Sequence, residues 1–140
     1  MVDIVRDVMT PDPLSITTQS TLEEAAQAMR ANHLGDVLIA DQGHLQGILT
    51  DRDIVVRGVA MGRHPGTTTV GDCCSGEVQT VRDDEPTEKA AEIMRRHSLR
   101  RLAVVDRTGQ LVGIVSIGDL AVAEDPTSAL ADISAAPPNI

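Results

Sequence analysis

The sequence predicts an α+β fold: two β-α-β-β-α repeats packed sheet to sheet about a pseudo-twofold axis. Three observations carry this expectation. First, a shift of 65 positions places Val5 on Val70, Glu23 on Glu88, Ala25 on Ala90, Met29 on Met94 and Asp41 on Asp106. One inserted residue then changes the shift to 66, so that Gly47, Ile48 and Asp53 fall on Gly113, Ile114 and Asp119. A period this long with only two copies points to paired half-domains rather than a solenoid. Second, each copy alternates short apolar runs with one helical stripe. Third, 140 residues with 41% hydrophobic content and no Phe, Tyr or Trp must build an aliphatic core. Neither half is large enough to bury such a core comfortably alone.

The elements follow in order. Each copy opens on a short extended piece, Leu14 to Ile16 or Val78 to Val81. In the first copy, Ser20-Thr-Leu-Glu23 has the spacing of a capping box, in which a hydroxyl and a carboxylate satisfy each other's exposed backbone donors. Behind it, Leu22, Ala25, Ala26 and Met29 form one helical stripe. In the second copy Pro86 suits the first helical turn, and Ala90, Ala91 and Met94 repeat the stripe. Next come the hairpins, Asp36–Ala40 with Leu45–Leu49 and Leu102–Val105 with Leu111–Val115, each joined by a glycine-bearing turn. Thr50 and Ser116 then stand at helix N-cap positions, ahead of apolar residues Ile54, Val55 and Val59 in one copy and Leu120 and Ala121 in the other. The resulting division is a first domain over 3–61, a linker over 62–69, a second domain over 70–123 and a tail over 124–140. The tail carries one weak helical pattern around Thr127–Ile133.

Composition narrows the function. A formal net charge of −9 repels nucleic acid and anionic membrane surfaces, so neither is an expected partner. Without aromatic rings, a planar ligand has to be sandwiched by aliphatic side chains. No apolar run is long enough to span a bilayer, and the opening MVDIVRDVMT lacks the apolar stretch of a signal peptide, so a cytoplasmic location is expected. Cys73 and Cys74 are adjacent, and His33, His44, His64 and His97 show no ligand spacing with them. A structural role for the cysteines is therefore preferred to a metal site. No nucleophile–base or paired-carboxylate motif is present, so neither catalysis nor a resident cofactor is expected. The run Arg95, Arg96, His97, Arg100, Arg101 reads as a solvated helix end, with a phosphate clamp or dimer contact as its sharper alternative.

The segments LGDVLIADQGHLQGILTDRDIV and LRRLAVVDRTGQLVGIVSIGDL, each preceded by an amphipathic helix, resemble a tandem pair of CBS (cystathionine-β-synthase-type) domains across residues 3–123. Through LTDRDIVVRGVAMG and the Thr-rich stretch after it, the chain is also similar to stand-alone actinobacterial pairs of the hypoxic response protein type. The resemblance implies a regulatory module that binds AMP, ADP, ATP or a related adenosine compound in clefts between the repeats. It also implies a flat homodimer and an unknown regulated protein partner. Residue by residue, it assigns phosphate to Thr50 and Ser116, ribose to Asp53 and Asp119, and adenine, more weakly, to Ile16 and Val81.

Physical chemistry allows those roles. A hydroxyl at an N-cap sits beside free amides and the positive end of the helix dipole, where phosphate is stabilised. A carboxylate one turn later accepts hydrogen bonds from ribose hydroxyls. The same atoms in GILTDRD and GIVSIGD also make ordinary helix caps, worth about 1 kcal/mol each. A dimeric interaction protein with empty pockets is thus the alternative reading. The copies differ at Asp51-Arg52 against Ile117-Gly118. An aspartate opposes an incoming phosphate and a glycine admits one, so the second copy is expected to take the more highly charged nucleotide unless Arg52 offsets Asp51.

Overall fold

A computed structural model describes residues 3–76 and 78–124, with side chains to residue 122. The expected tail helix around Thr127–Ile133 lies outside the described residues. The chain opens with a helical turn, α1 (Val5–Val8), and a two-residue strand, β1 (Thr10–Pro11). The first repeat continues with β2 (Ser15–Ile16), α2 (Leu22–Asn32), β3 (Asp36–Asp41), β4 (His44–Thr50) and α3 (Asp51–Asp53). A π turn (Ile54–Gly58) and a 3₁₀ turn (Val59–Met61) extend α3 without a break. The second repeat holds β5 (Thr80–Arg82), α4 (Thr87–His97), β6 (Arg101–Val105), β7 (Leu111–Ser116) and α5 (Ile117–Glu124). Among the described residues no helix is long and apolar enough to cross a membrane.

The compact units are not the sequence repeats. One unit holds Leu14–Val78; the other takes the chain up to Pro13 and resumes at Gln79. Each repeat therefore gives its leading segment to the unit built mainly from the other.

In the Leu14–Val78 unit, the sheet order is β2-β3-β4, with β2 parallel and β4 antiparallel to β3. Leu22, Ala25 and Met29 of α2 pack on Val37, Ile39 and Leu49, and the core is completed by Val70 and Cys73 from beyond the first repeat. Ala26 is exposed, so the buried stripe is narrower than its spacing suggests. The capping box is Thr21/Glu24, one residue later than expected: Thr21 Oγ1 accepts from the Glu24 amide at 3.1 Å, and Glu24 Oε1 accepts from the Thr21 amide at 3.2 Å. The shift puts Leu22, a fully buried core residue, at the first helical position, while the Ser20 hydroxyl turns to the Thr17 amide. Residues 62–69 are tied to this helix as well. The Leu22 and Glu23 amides, which lack helical partners, donate to the Thr68 and Pro65 carbonyls.

In the other unit, the sheet order is β1-β7-β6-β5. Pro86 is the N-cap of α4 and Thr87 its first helical residue, so the proline precedes the first turn rather than lying in it. The leading arm docks through backbone bonds from Val5 and Arg6 to the Glu85 and Asp83 carbonyls, and the Arg6 guanidinium pairs with Asp83 at 3.0 Å. Val5 is 0% exposed among Val81, Ala90, Met94 and Leu102. Val5→Ala is expected to lower unfolding free energy by about 2 kcal/mol, read by denaturant melts followed in the far UV. A loss under about 0.5 kcal/mol, the range of surface substitutions, would show that the arm is not part of this core.

The hairpins share one irregularity. Ile39 pairs with Gly47 but Ala40 with Leu45; Val104 pairs with Gly113 but Val105 with Leu111. Gln46 and Val112 are thus bulged residues, each just before the glycine of the repeated motif. The first hairpin turns through Gln42 and Gly43, both with positive φ, the two-residue geometry that matches strand twist. Beside the second hairpin turn, Asp84 accepts from Arg82 and Arg107 at 2.8 and 2.9 Å. The two Arg82 bonds, then the one from Arg107, lower its carboxyl from 3.8 to about 2. The folded value lies below the unfolded one, so this contribution is full above pH 4 and disappears as pH falls toward 2. Asp84→Asn is therefore expected to melt below wild type at neutral pH, with the two Tm curves converging near pH 2.

Candidate functional site

Both copies of the motif form closed, reciprocal caps. In the first, the Asp53 amide donates to Thr50 Oγ1 and the Thr50 amide to Asp53 Oδ2, both at 3.0 Å. In the second, the Asp119 amide donates to Ser116 Oγ at 3.0 Å and the Ser116 amide to Asp119 Oδ2 at 2.9 Å. Each cap spends one lone pair of the hydroxyl and one oxygen of the carboxylate. The hydroxyl proton, and the second carboxylate oxygen unless another group takes it, are not used by the cap. Capping and ligand binding are thus compatible on the same four residues.

The remaining groups separate the copies. The first helical amide is spent in both, Asp51 on the Gly35 carbonyl and Ile117 on the Arg100 carbonyl. The next amide is spent in the first copy only: Arg52 N–H donates to Asp51 Oδ1 at 2.8 Å, so the aspartate already sits where a phosphate oxygen would. Its counterpart, the buried Gly118 amide, has no acceptor among the described residues. Asp53 Oδ1 faces Arg57 Nε at 3.8 Å, whereas Asp119 Oδ1 has no partner among the described residues. Asp119 also borders an open cavity of about 310 Å³ with Asp7, Val8 and Val122.

The leading segments wall these corners. Ser75 exchanges two backbone hydrogen bonds with Ile48, both at 3.0 Å, and β1 pairs with β7, Pro11 opposite Gly113. A Cβ on Gly47 would collide with the Ser75 carbonyl oxygen and lie 3.2 Å from Cys74 Sγ. One on Gly113 would collide with Met9 Sδ and lie 3.0 Å from the Thr10 carbonyl oxygen. The glycine that opens each motif is therefore explained by close passage of a segment from outside its own repeat, met through a backbone carbonyl at Gly47 and through the Met9 side chain at Gly113.

The two adenine candidates are placed differently. Val81 is 2% exposed and belongs to the core beneath α4; Ile16 is partly buried at the edge of its core and is the more accessible. Cys73 is buried and Cys74 half-buried, both as free thiols, and burial raises the Cys74 pKa. Among the described residues no group of three or more His, Cys, Asp or Glu side chains could hold a metal. Of the basic run, Arg96 pairs with Glu92 at 2.8 Å, and Arg95 borders an apolar groove of about 360 Å³ between α4 and α5. Sequence reasoning missed Arg57, whose i,i+4 spacing from Asp53 was available as a signal. It also missed the role of Gly47 and Gly113, for which no local signal exists.

The CBS domain family model matches residues 5–59 and 70–125. The chain belongs to the CBS domain family. This CBS pair is 40% identical over 134 residues to the CBS domain-containing protein YhcV of Bacillus subtilis, covering 93% of this chain and 94% of that one. It is 36% identical over 117 residues to Hypoxic response protein 1 of Mycobacterium tuberculosis, covering 83% and 81%. Among solved structures, Hypoxic Response Protein I with two coordinated zinc ions aligns with a TM-score of 0.77 at 34% identity, over 85% of this chain and 97% of that one. The CBS pair of protein MJ0100, in complex with 5′-methylthioadenosine and S-adenosyl-L-methionine, aligns at 0.76 and 25% identity, over 91% and 100%. CBSX2 in complex with AMP aligns at 0.74 and 25% identity, over 86% and 95%.

Proposed function

We propose that this protein is a non-catalytic sensor that binds an adenosine-containing nucleotide, with the second repeat as the principal site. Ser116 donates its hydroxyl proton to phosphate, the Gly118 amide adds a second donor, and Asp119 accepts from the ribose hydroxyls through Oδ1. Thr50 and Asp53 form a weaker counterpart, and Ile16 contributes an aliphatic surface for the base. The observation that carries the reading is the unspent chemistry of the Ser116–Asp119 corner: one hydroxyl proton, one amide without an acceptor among the described residues, and one carboxylate oxygen of Asp119, a residue that borders an open cavity. The AMP, S-adenosylmethionine and methylthioadenosine complexes of related CBS pairs support the ligand class.

Binding passes its signal by shifting an association equilibrium. Val55 and Val59, 58% and 60% exposed on the helix behind the first motif, together with Val56 and Met61, supply an apolar face suited to self-association. The test is a thermal-shift panel of AMP, ADP, ATP and S-adenosylmethionine, followed by dye or far-UV signal because the chain has no Trp or Tyr. A true ligand at 100 times its dissociation constant is expected to stabilise the fold by about 2.7 kcal/mol. Silence across the panel would favour the interaction-protein alternative.

A further inference from the structure

We infer that Arg57 is a built-in competitor for the ligand at the first repeat's corner. This rests on the reading of Asp53 as a ribose-binding carboxylate. Asp53 is 16% exposed at its side chain; Oδ2 accepts from the Thr50 amide at 3.0 Å, and Oδ1 faces Arg57 Nε in an ion pair at 3.8 Å, longer than a hydrogen bond. The pair has the favourable helical orientation, with the acid four residues ahead of the base. The guanidinium is also held from behind, where Nη1 donates to the Cys73 carbonyl at 3.4 Å. A second anchor of this kind reduces the freedom Arg57 loses when it meets Asp53. A ribose hydroxyl reaching Asp53 Oδ1 competes with that ion pair for the same oxygen. The 66-residue shift puts Ala123 at the position of Arg57, so Asp119 has no such rival.

Adenosine isolates the ribose contact because it carries no phosphate, and Asp119→Asn silences the second repeat. In calorimetric titrations of the full chain, Arg57→Gln in the Asp119→Asn background is expected to bind adenosine about threefold more tightly than Asp119→Asn alone. The gain should shrink as salt rises from roughly 0.05 to roughly 0.5 M, because screening already weakens the pair in the parent. Arg57→Lys keeps the charge and is expected to match the parent, so an equal gain there would overturn the inference. Unchanged or weaker binding by Arg57→Gln, with Asp53→Asn still abolishing it, also overturns the inference while leaving the ribose reading in place. Failure of wild type to bind either adenosine or AMP overturns the ribose reading itself, and the inference with it.

Discussion

Gly47→Ala is expected to destabilise the Leu14–Val78 unit by about 2–3 kcal/mol, near the top of the range for overpacking a well-filled site. The added methyl meets the Ser75 carbonyl oxygen, which accepts from the Ile48 amide while the Ser75 amide donates back to the Ile48 carbonyl, so relief requires breaking a bridge. Gly113→Ala is expected to cost less, about 1 kcal/mol. Its first collision is with the end of the flexible Met9 side chain, and the Thr10 carbonyl oxygen lies 3.0 Å away. Urea melts of the two variants measure the difference. Equal losses, or a smaller loss for Gly47→Ala, would show that Ser75 does not pass over Gly47 as closely as described.

Ser116→Ala is expected to weaken ATP binding by about tenfold or more, the loss of one charge-assisted hydrogen bond to phosphate. Thr50→Ala is expected to change it by less than about threefold, since Asp51 already holds the amide that a phosphate would need. Both variants lose a helix cap, so both should melt lower, by about 1 kcal/mol. That shared loss separates the roles. A residue that only caps its helix lowers Tm and leaves the calorimetric isotherm alone, and an unchanged isotherm for Ser116→Ala would sink its assignment to phosphate.

Much of the fold was legible before any coordinates. The hairpins lie within a residue or two of their expected positions because an apolar run, an Asp-bearing turn and a second apolar run are local signals. The α2 cap was displaced by one residue because Ser20 and Thr21 are both good caps, and only burial of Leu22 chooses between them. Ala26 looked like a core position by spacing, yet the helix needed only a narrow stripe against three strands. At the candidate site, all four motif residues could be named in advance, since hydroxyl and acid at i,i+3 form a local pattern. Their inequality was only half visible. Asp51, Gly118 and the i,i+4 spacing of Asp53 and Arg57 could be read from the chain, but the contact of Arg57 with Cys73 depends on geometry.

The sequence by itself determined the duplication, the order of elements from β2 and from β5 onward (but not the leading α1 and β1), the aliphatic core and the identity of the paired Thr50/Asp53 and Ser116/Asp119. All of these rest on interactions within a few residues or on a periodicity of the chain. Only the tertiary structure decided that the leading segment of each repeat packs in the unit built from the other. Val5 reaches Val81 and Leu102, and Val70 reaches Leu22 and Leu49, across separations that no local pattern encodes. That exchange is also what requires glycine at 47, favours it at 113 and sets Cys73 behind Arg57. The physical reason is that an apolar side chain is indifferent to which complementary core buries it. Sequence can declare Val5 and Val70 buried, but only packing chooses the core that receives each one.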